Sequence, residues 1–216
     1  MRQILYPMDY NEKQIAIINT AEKLFSVNGF DGTSVRDIAH EADVNVAMIS
    51  YYFGSKEKLM EAVFEQRSNS IRIRVENLLQ SEHYTHMEKI YILIDDFIEK
   101  FLSQQEFHKI IMREQLKEKG TLITSLIHDL KKKNLATIKK LVHDGQKDGE
   151  FRKNIDMVLM MATLVGTVSQ VITSQRFHRE ANHMEDITEA EFEKYMRKKL
   201  SAHLKNLFKA MLTHEA

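Results

Sequence analysis

The chain has 216 residues, 43% of them hydrophobic, and a formal net charge of zero, with 31 Lys and Arg balancing 31 Asp and Glu. That is enough apolar material for a buried core in one domain or two, which excludes a disordered tail, while the charge balance excludes a bulk basic field as the means of holding nucleic acid. The absence of cysteine excludes disulfides, thiolate metal sites and cysteine nucleophiles and fits a reducing cytoplasm.

One proline, Pro7, and seven glycines leave little to interrupt helix from Tyr10 onward, and no run of alternating β-branched residues is present. The expected fold class is all-α, with about nine helices. The first residues, MRQILYPMDYNEK, lack the apolar core and small-residue cleavage site of a secretion signal, so a cytoplasmic location is expected.

Ile15, Ile18, Ala21, Leu24 and Phe25 recur at helical spacing, and the Asn28 and Gly29 pair supplies a stop, predicting a helix from about Asn11 to Val27. Ser34 with Asp37 three residues on reads as a capping box opening a short second helix through Val35, Ile38, Ala39 and Ala42. Asp43 and Val44 interrupt it. Asn45 is a good N-cap for a third helix, in which Ile49 and Phe53 share a buried face and which Gly54 closes. Ser55, followed by Glu57, caps a fourth helix reaching about Leu79. Two short helices joined by a tight turn form a helix-turn-helix whose second helix points its first turn outward. The outward residues are then Val46, Ala47, Met48, Ser50 and Tyr51, because Val44, Ile49 and Phe53 are needed inside. Residues 1 to 60 carry six Lys and Arg against eight Asp and Glu, so DNA binding here depends on the placement of a few groups.

The stretch TSVRDIAHEADVNVAMISYYFGSKEKL, preceded by AEKLFSVNGFDG, resembles the DNA-binding domain of the tetracycline-repressor (TetR) family of bacterial regulators over about residues 12 to 64. The resemblance implies a helix-turn-helix domain over 1–57 and a helical effector-binding and dimerisation domain over 58–216. By position it puts phosphate contacts on Thr33 or Ser34, Tyr51, Tyr52 and Lys56, and base contacts on Arg36, Val46, Ala47, Met48 and Ser50. A tyrosine hydroxyl on a rigid ring can donate to phosphate while its body packs on protein, so two tyrosines can hold register without net positive charge. The family often has glycine at 43, tyrosine at 50 and lysine at 54, where this chain has Asp43, Ser50 and Gly54, which implies modest non-specific affinity. Val46, Ala47 and Met48 can press on thymine methyls but cannot hydrogen-bond base edges, leaving Arg36 as the candidate for a bidentate guanine contact.

Further on, 89–102, 106–116 and 122–142 read as helices. The 19 uncharged residues of 157–175 approach the length of a membrane span, but the polar side chains of their second half make them a buried interface helix instead, with no membrane partner expected. Phe192, Met196, Leu200, Leu204, Leu207, Phe208 and Met211 form one stripe on a last helix. Two copies of this helix pair are expected to form a four-helix interface, built from Val158, Ala162, Val165, Gly166, Leu200, Leu204, Leu207 and Phe208. Phe97, Phe101, Phe107, Met112, Met160 and Met161 suggest an adaptable apolar cavity, although Met and Phe at helical spacing are more often plain core. The resemblance implies a small-molecule effector there, of unknown identity, whose preference for the released conformation moves the protein off DNA.

No HExxH, phosphate-cradling glycine loop or GxSxG turn is present, and Glu180 with His183 forms only one ExxH, where a di-metal bundle needs two. No enzyme activity, cofactor or metal is expected. The lysines at 131 to 133 read as a solvated helix face. The expected function is a homodimeric, sequence-specific DNA-binding transcriptional regulator, a repressor released from a palindromic duplex operator by a small molecule. The alternative is an all-helical small-molecule or metal binding protein whose helix-turn-helix has lost DNA.

Overall fold

The computed structural model describes residues 10–116 and 120–213, apart from the side chains of 69–73. Among the described residues the structure is ten α-helices and no strand: α1 Glu12–Asn28, α2 Val35–Glu41, α3 Val46–Phe53, α4 Lys56–Gln80, α5 His86–Ser103, α6 Gln105–Gln115, α7 Leu122–Lys147, α8 Met157–Thr173, α9 Gln175–Ala181 and α10 Glu189–Leu212. The uncharged segment expected as a single helix is two pieces, since the backbone leaves helical geometry at Ser174 and α9 sets off at a bend of 77°. No single helix among the described residues is long and apolar enough to cross a membrane.

Side chains set most of the helix starts. Asn11, Ser34, Thr85 and Thr188 form reciprocal capping boxes with Gln14, Asp37, Glu88 and Glu191. Each such cap satisfies amides that water would otherwise have to reach and contributes about 1 kcal/mol. At Asp37 the hydroxyl and amide of Ser34 hold the carboxyl below the usual carboxylate range.

The chain divides into two compact units, Met1–Arg74 with Gln105–Leu130, and Val75–Gln104 with Lys131–Ala216. A boundary at 57/58 therefore falls inside the first unit, because the first turns of α4 pack with α1 to α3 and α6 returns to them. That unit is centred on Ile17, Ile18 and Phe25 of α1, Ile38 of α2, Ile49 of α3, Leu59 and Val63 of α4, and Phe107 and Ile110 of α6. The Phe64 and Phe107 rings meet edge to face at 4.8 Å. Polar contacts add to this seam: Arg67 Nε donates to Glu22 at 2.6 Å, Ser26 donates to Glu106, and both terminal nitrogens of Arg113 donate to the Val27 carbonyl at 3.2 Å.

The second unit is built around Ile90, Ile94 and Ile98 of α5, Met160, Leu164 and Val168 of α8, and Leu200, Leu204 and Phe208 of α10. The turn after α7 ties its elements. Glu150 accepts from the His86 and Met87 amides at the start of α5, at 3.0 and 2.8 Å, and Arg152 donates to the Met211 and Leu212 carbonyls at the end of α10. A carboxylate at a helix N-terminus and a cation at a C-terminus both complement the helix dipole.

Candidate nucleic-acid interface and helical core

The turn between α2 and α3 brings Asp43 to φ 51° in the left-handed region, where its short polar side chain is tolerated at the position the family often fills with glycine. Asn45 then accepts from the Ala47 amide at 2.8 Å, and α3 begins at Val46. Ile49 is 1% exposed and locks α3 to the core. The opposite face stands free: Val46, Ala47, Ser50 and Tyr51 are exposed, Tyr51 at 84%, and Met48 is half-buried beside them. Tyr52 is half-buried, its ring edge-on to Tyr51 at 5.3 Å, so one tyrosine braces the other. Gly54, at φ 80°, takes a backbone that side-chain-bearing residues resist, and turns the chain directly into α4.

Arg36 projects from the first turn of α2, exposed, on the same three-helix head. Ser34 is exposed, its oxygen accepting from the Asp37 amide in the capping box. Thr33 does something else. It is 1% exposed and its hydroxyl donates to the Gly29 carbonyl at 2.8 Å, so of the two alternatives only Ser34 faces outward.

Lys56 also carries a task that its position in the sequence does not suggest. Its ammonium donates to the Phe30 and Thr33 carbonyls at 2.8 and 3.0 Å and sits 4.3 Å above the Phe30 ring. With three donors and two of them engaged, Lys56 keeps one for a phosphate while fixing the loop that presents Ser34. Arg67 and Glu22 were not singled out from the sequence either. Their partnership spans 45 residues, and only the helical periodicity that buries the Glu22 side of α1 hints at it.

The residues expected to line an effector cavity fall into both cores. Phe101, 4% exposed, and Met160, fully buried, join Phe97 in the second unit, with the Phe97 and Phe101 rings 5.8 Å apart. Phe107 lies in the first unit against Phe64, while Met112 is 37% exposed and Met161 half-buried.

The residues expected between two copies also separate. Val158 and Val165 are 60% and 40% exposed, and Ala162 and Gly166 are exposed with them along one face of α8. A Cβ placed on Gly166 would meet nothing within 4 Å. Leu200, Leu204 and Phe208 are 3%, 0% and 2% exposed, and Leu207 is half-buried. Within the protomer, α10 packs on α5 and α8, and Leu200, Leu204 and Phe208 lie in that core. Sequence reasoning missed Leu159 and Phe177, 64% and 65% exposed, which extend the uncovered apolar surface of α8 and α9.

Glu180, half of the single ExxH, is engaged with Arg176 at 2.8 Å, and no group of three or more ligating side chains among the described residues could hold a metal.

An all-helical protein whose capped recognition helix exposes one face beside two tyrosines is, by fold and site, a helix-turn-helix regulator. Residues 17–63 match the family described as bacterial regulatory proteins, tetR family, and residues 87–202 match its tetracyclin repressor-like C-terminal domain. The chain belongs to the TetR family of transcriptional regulators. It is 34% identical over 142 residues to the probable HTH-type transcriptional regulator YttP of Bacillus subtilis, covering 62% of this chain and 65% of YttP. It is 30% identical over 159 residues to the HTH-type transcriptional repressor NicS of Pseudomonas putida, covering 68% of this chain and 71% of NicS. Among solved structures, the Bacillus subtilis transcriptional regulator FadR in complex with stearoyl-CoA superimposes with a TM-score of 0.69 at 21% identity, over 91% of this chain and 97% of FadR.

Proposed function

We propose that the protein is a homodimeric repressor that occupies a palindromic operator through α2 and α3 and leaves it when a small-molecule effector with an apolar chain binds the helical unit. The observation that carries this is the free face of α3. Val46, Ala47 and Ser50 stand where a major groove would receive them, flanked by Arg36, by exposed Ser34 and by the Tyr51, Tyr52 and Lys56 donors that suit phosphate. A single recognition helix reads only a few base pairs, so two heads on a twofold axis are needed for a site of useful specificity. The uncovered apolar face of α8 supports that pairing. For the effector, the class best supported is a fatty acyl thioester of coenzyme A: stearoyl-CoA is the ligand named for the structurally similar FadR, and the core of unit two holds Phe97, Phe101 and the adaptable Met160. Effector binding shifts the population only by its difference in affinity between the DNA-bound and released states.

Selection of bound sites from random duplex DNA tests the reading. Recovery of a palindrome, bound more weakly by Tyr51→Phe and released by stearoyl-CoA, is the expected result. Failure to enrich any sequence, with or without the acyl-CoA, would sink the regulator reading in favour of a head that has lost DNA.

A further inference from the structure

The 26 residues of α7 hold six lysines, at 131, 132, 133, 139, 140 and 147, against Asp129 and Asp144 and no glutamate. In a chain whose charges balance overall, that is a local concentration of one sign. Lys131 and Lys147 are engaged, the latter with Asp144 at 3.8 Å. Lys132, Lys133, Lys139 and Lys140 are all exposed, and none of them has a carboxylate within ion-pair distance among the described residues. Their spacing places them together. Residues seven apart on a helix lie two turns apart on one side, so Lys132 with Lys139 and Lys133 with Lys140 make two short parallel rows about 10 Å long. The opposite side of the same segment, Ile138, Leu141 and Val142, is in the core of the second unit, which fixes the helix and keeps the lysines outward.

Surface helices that only need solvation usually alternate signs, with Glu and Lys three or four residues apart. Only the start of α10 does so, with Glu191 and Glu193 followed three and four residues on by Lys194 and Arg197. The α7 face does not. The reading head is meanwhile poor in free cations. Residues 1 to 60 carry a balance of −2, Lys23 and Lys58 are spent on Glu41 and Glu61, and Lys56 is turned onto two carbonyls. Base readout is thus placed in one part of the chain and unneutralised positive charge in another.

We propose that the Lys132, Lys133, Lys139 and Lys140 face of α7 is a second, sequence-independent contact surface for the phosphate backbone of duplex DNA, supplying capture that the head lacks. It rests on the reading of the protein as a DNA-binding regulator. A duplex presents one negative charge about every 1.7 Å of axis, and each phosphate neutralised by lysine releases condensed counterions, so affinity must fall with salt by a slope of about 0.9 per contact. Anionic lipid is the less suitable polyanion, because a helix that lies on a membrane also inserts an apolar face, and that of α7 is already buried.

The test uses the full-length protein and a variant carrying K132Q, K133Q, K139Q and K140Q, titrated against a random-sequence duplex of about 30 base pairs between about 50 and 200 mM salt. The expected result is a slope shallower by about 3 to 4 in the variant, equivalent to about a 100-fold smaller loss of affinity across that range. Replacement of the same four residues by arginine is expected to keep the slope. An unchanged slope in the glutamine variant overturns the proposal. So does lysine-dependent binding to vesicles of anionic phospholipid without a change on DNA. Arg36→Ala separates this surface from the head, since it is expected to lose operator preference and keep the salt slope. Operator selection with an unchanged slope in the glutamine variant would remove the α7 surface alone. Absence of operator selection with a lysine-dependent slope would support the surface and remove the regulator reading alone.

Discussion

Arg36 is the one long, hydrogen-bonding, charged side chain beside an otherwise apolar reading face, and that makes its replacement informative. Arg36→Ala is expected to relax preference at one base pair in each half-site, at a cost of about 1 to 3 kcal/mol measured across a panel of operator variants. An equal loss on every variant would make Arg36 a phosphate contact. Glu22 and Arg67 give a residue-scale prediction about stability. Burial raises the Glu22 carboxyl above its ordinary value of 4.5, with Arg67 pulling it back down. A folded-state value above the unfolded one favours folding at low pH, and that contribution is lost as pH rises through the raised value. Glu22→Gln keeps an acceptor for Arg67 and removes the buried charge, so it should flatten this loss in thermal melts above pH 4.5. Arg67→Ala leaves the Glu22 carboxylate buried without its cation and is expected to cost about 3 kcal/mol in urea unfolding at neutral pH. A smaller loss for Arg67→Ala than for Glu22→Gln would contradict this account.

At the scale of elements, the capping boxes were legible because cap and third residue lie within one turn, and Ser34 with Asp37 shows it: the pair is local, and the helix begins where the pair says. The seams were not legible. Glu150 reaches the start of α5 across 64 residues and Arg152 reaches the end of α10 across 59, and neither has a neighbour in sequence that announces its partner. That turn also explains Gly145, which sits inside α7. A Cβ there would meet the Phe151 ring at 2.4 and 2.6 Å. Gly145→Ala would ordinarily stabilise a helix, by about 1 kcal/mol. Here it must displace a ring that is 3% exposed, and a net loss of about 1 to 3 kcal/mol is expected from thermal unfolding.

For the whole molecule, the proposed pairing of two heads makes its own demand. Val165 is 40% exposed in the middle of the open face of α8, between exposed Ala162 and Gly166. Val165→Glu should therefore leave helix content and melting of the monomer intact. It should shift sedimentation toward the monomer and weaken operator binding about 10-fold or more, because a desolvated carboxylate facing its own copy is unfavourable. Leu204→Ala is the contrasting case, expected to unfold the unit rather than dissociate it, since Leu204 is fully buried within one chain.

What the sequence determined by itself was what depends on neighbours within a few residues: most of the helices and their starts, the stop at Gly54 and the turn at Asp43. These follow from hydrogen bonds and steric limits that act inside one turn, so composition and order suffice. Tertiary structure decided how each apolar surface is spent. The α10 stripe and the α8 stripe look alike as text, yet Leu200, Leu204 and Phe208 close onto α5 while Val158 and Val165 remain open. Thr33 and Lys56 were likewise ambiguous until the loop between α1 and α2 supplied the carbonyls that claim them. Burial is a property of the whole chain's packing, and a side chain's partner across 20 to 100 residues is chosen by that packing and not by its own neighbours.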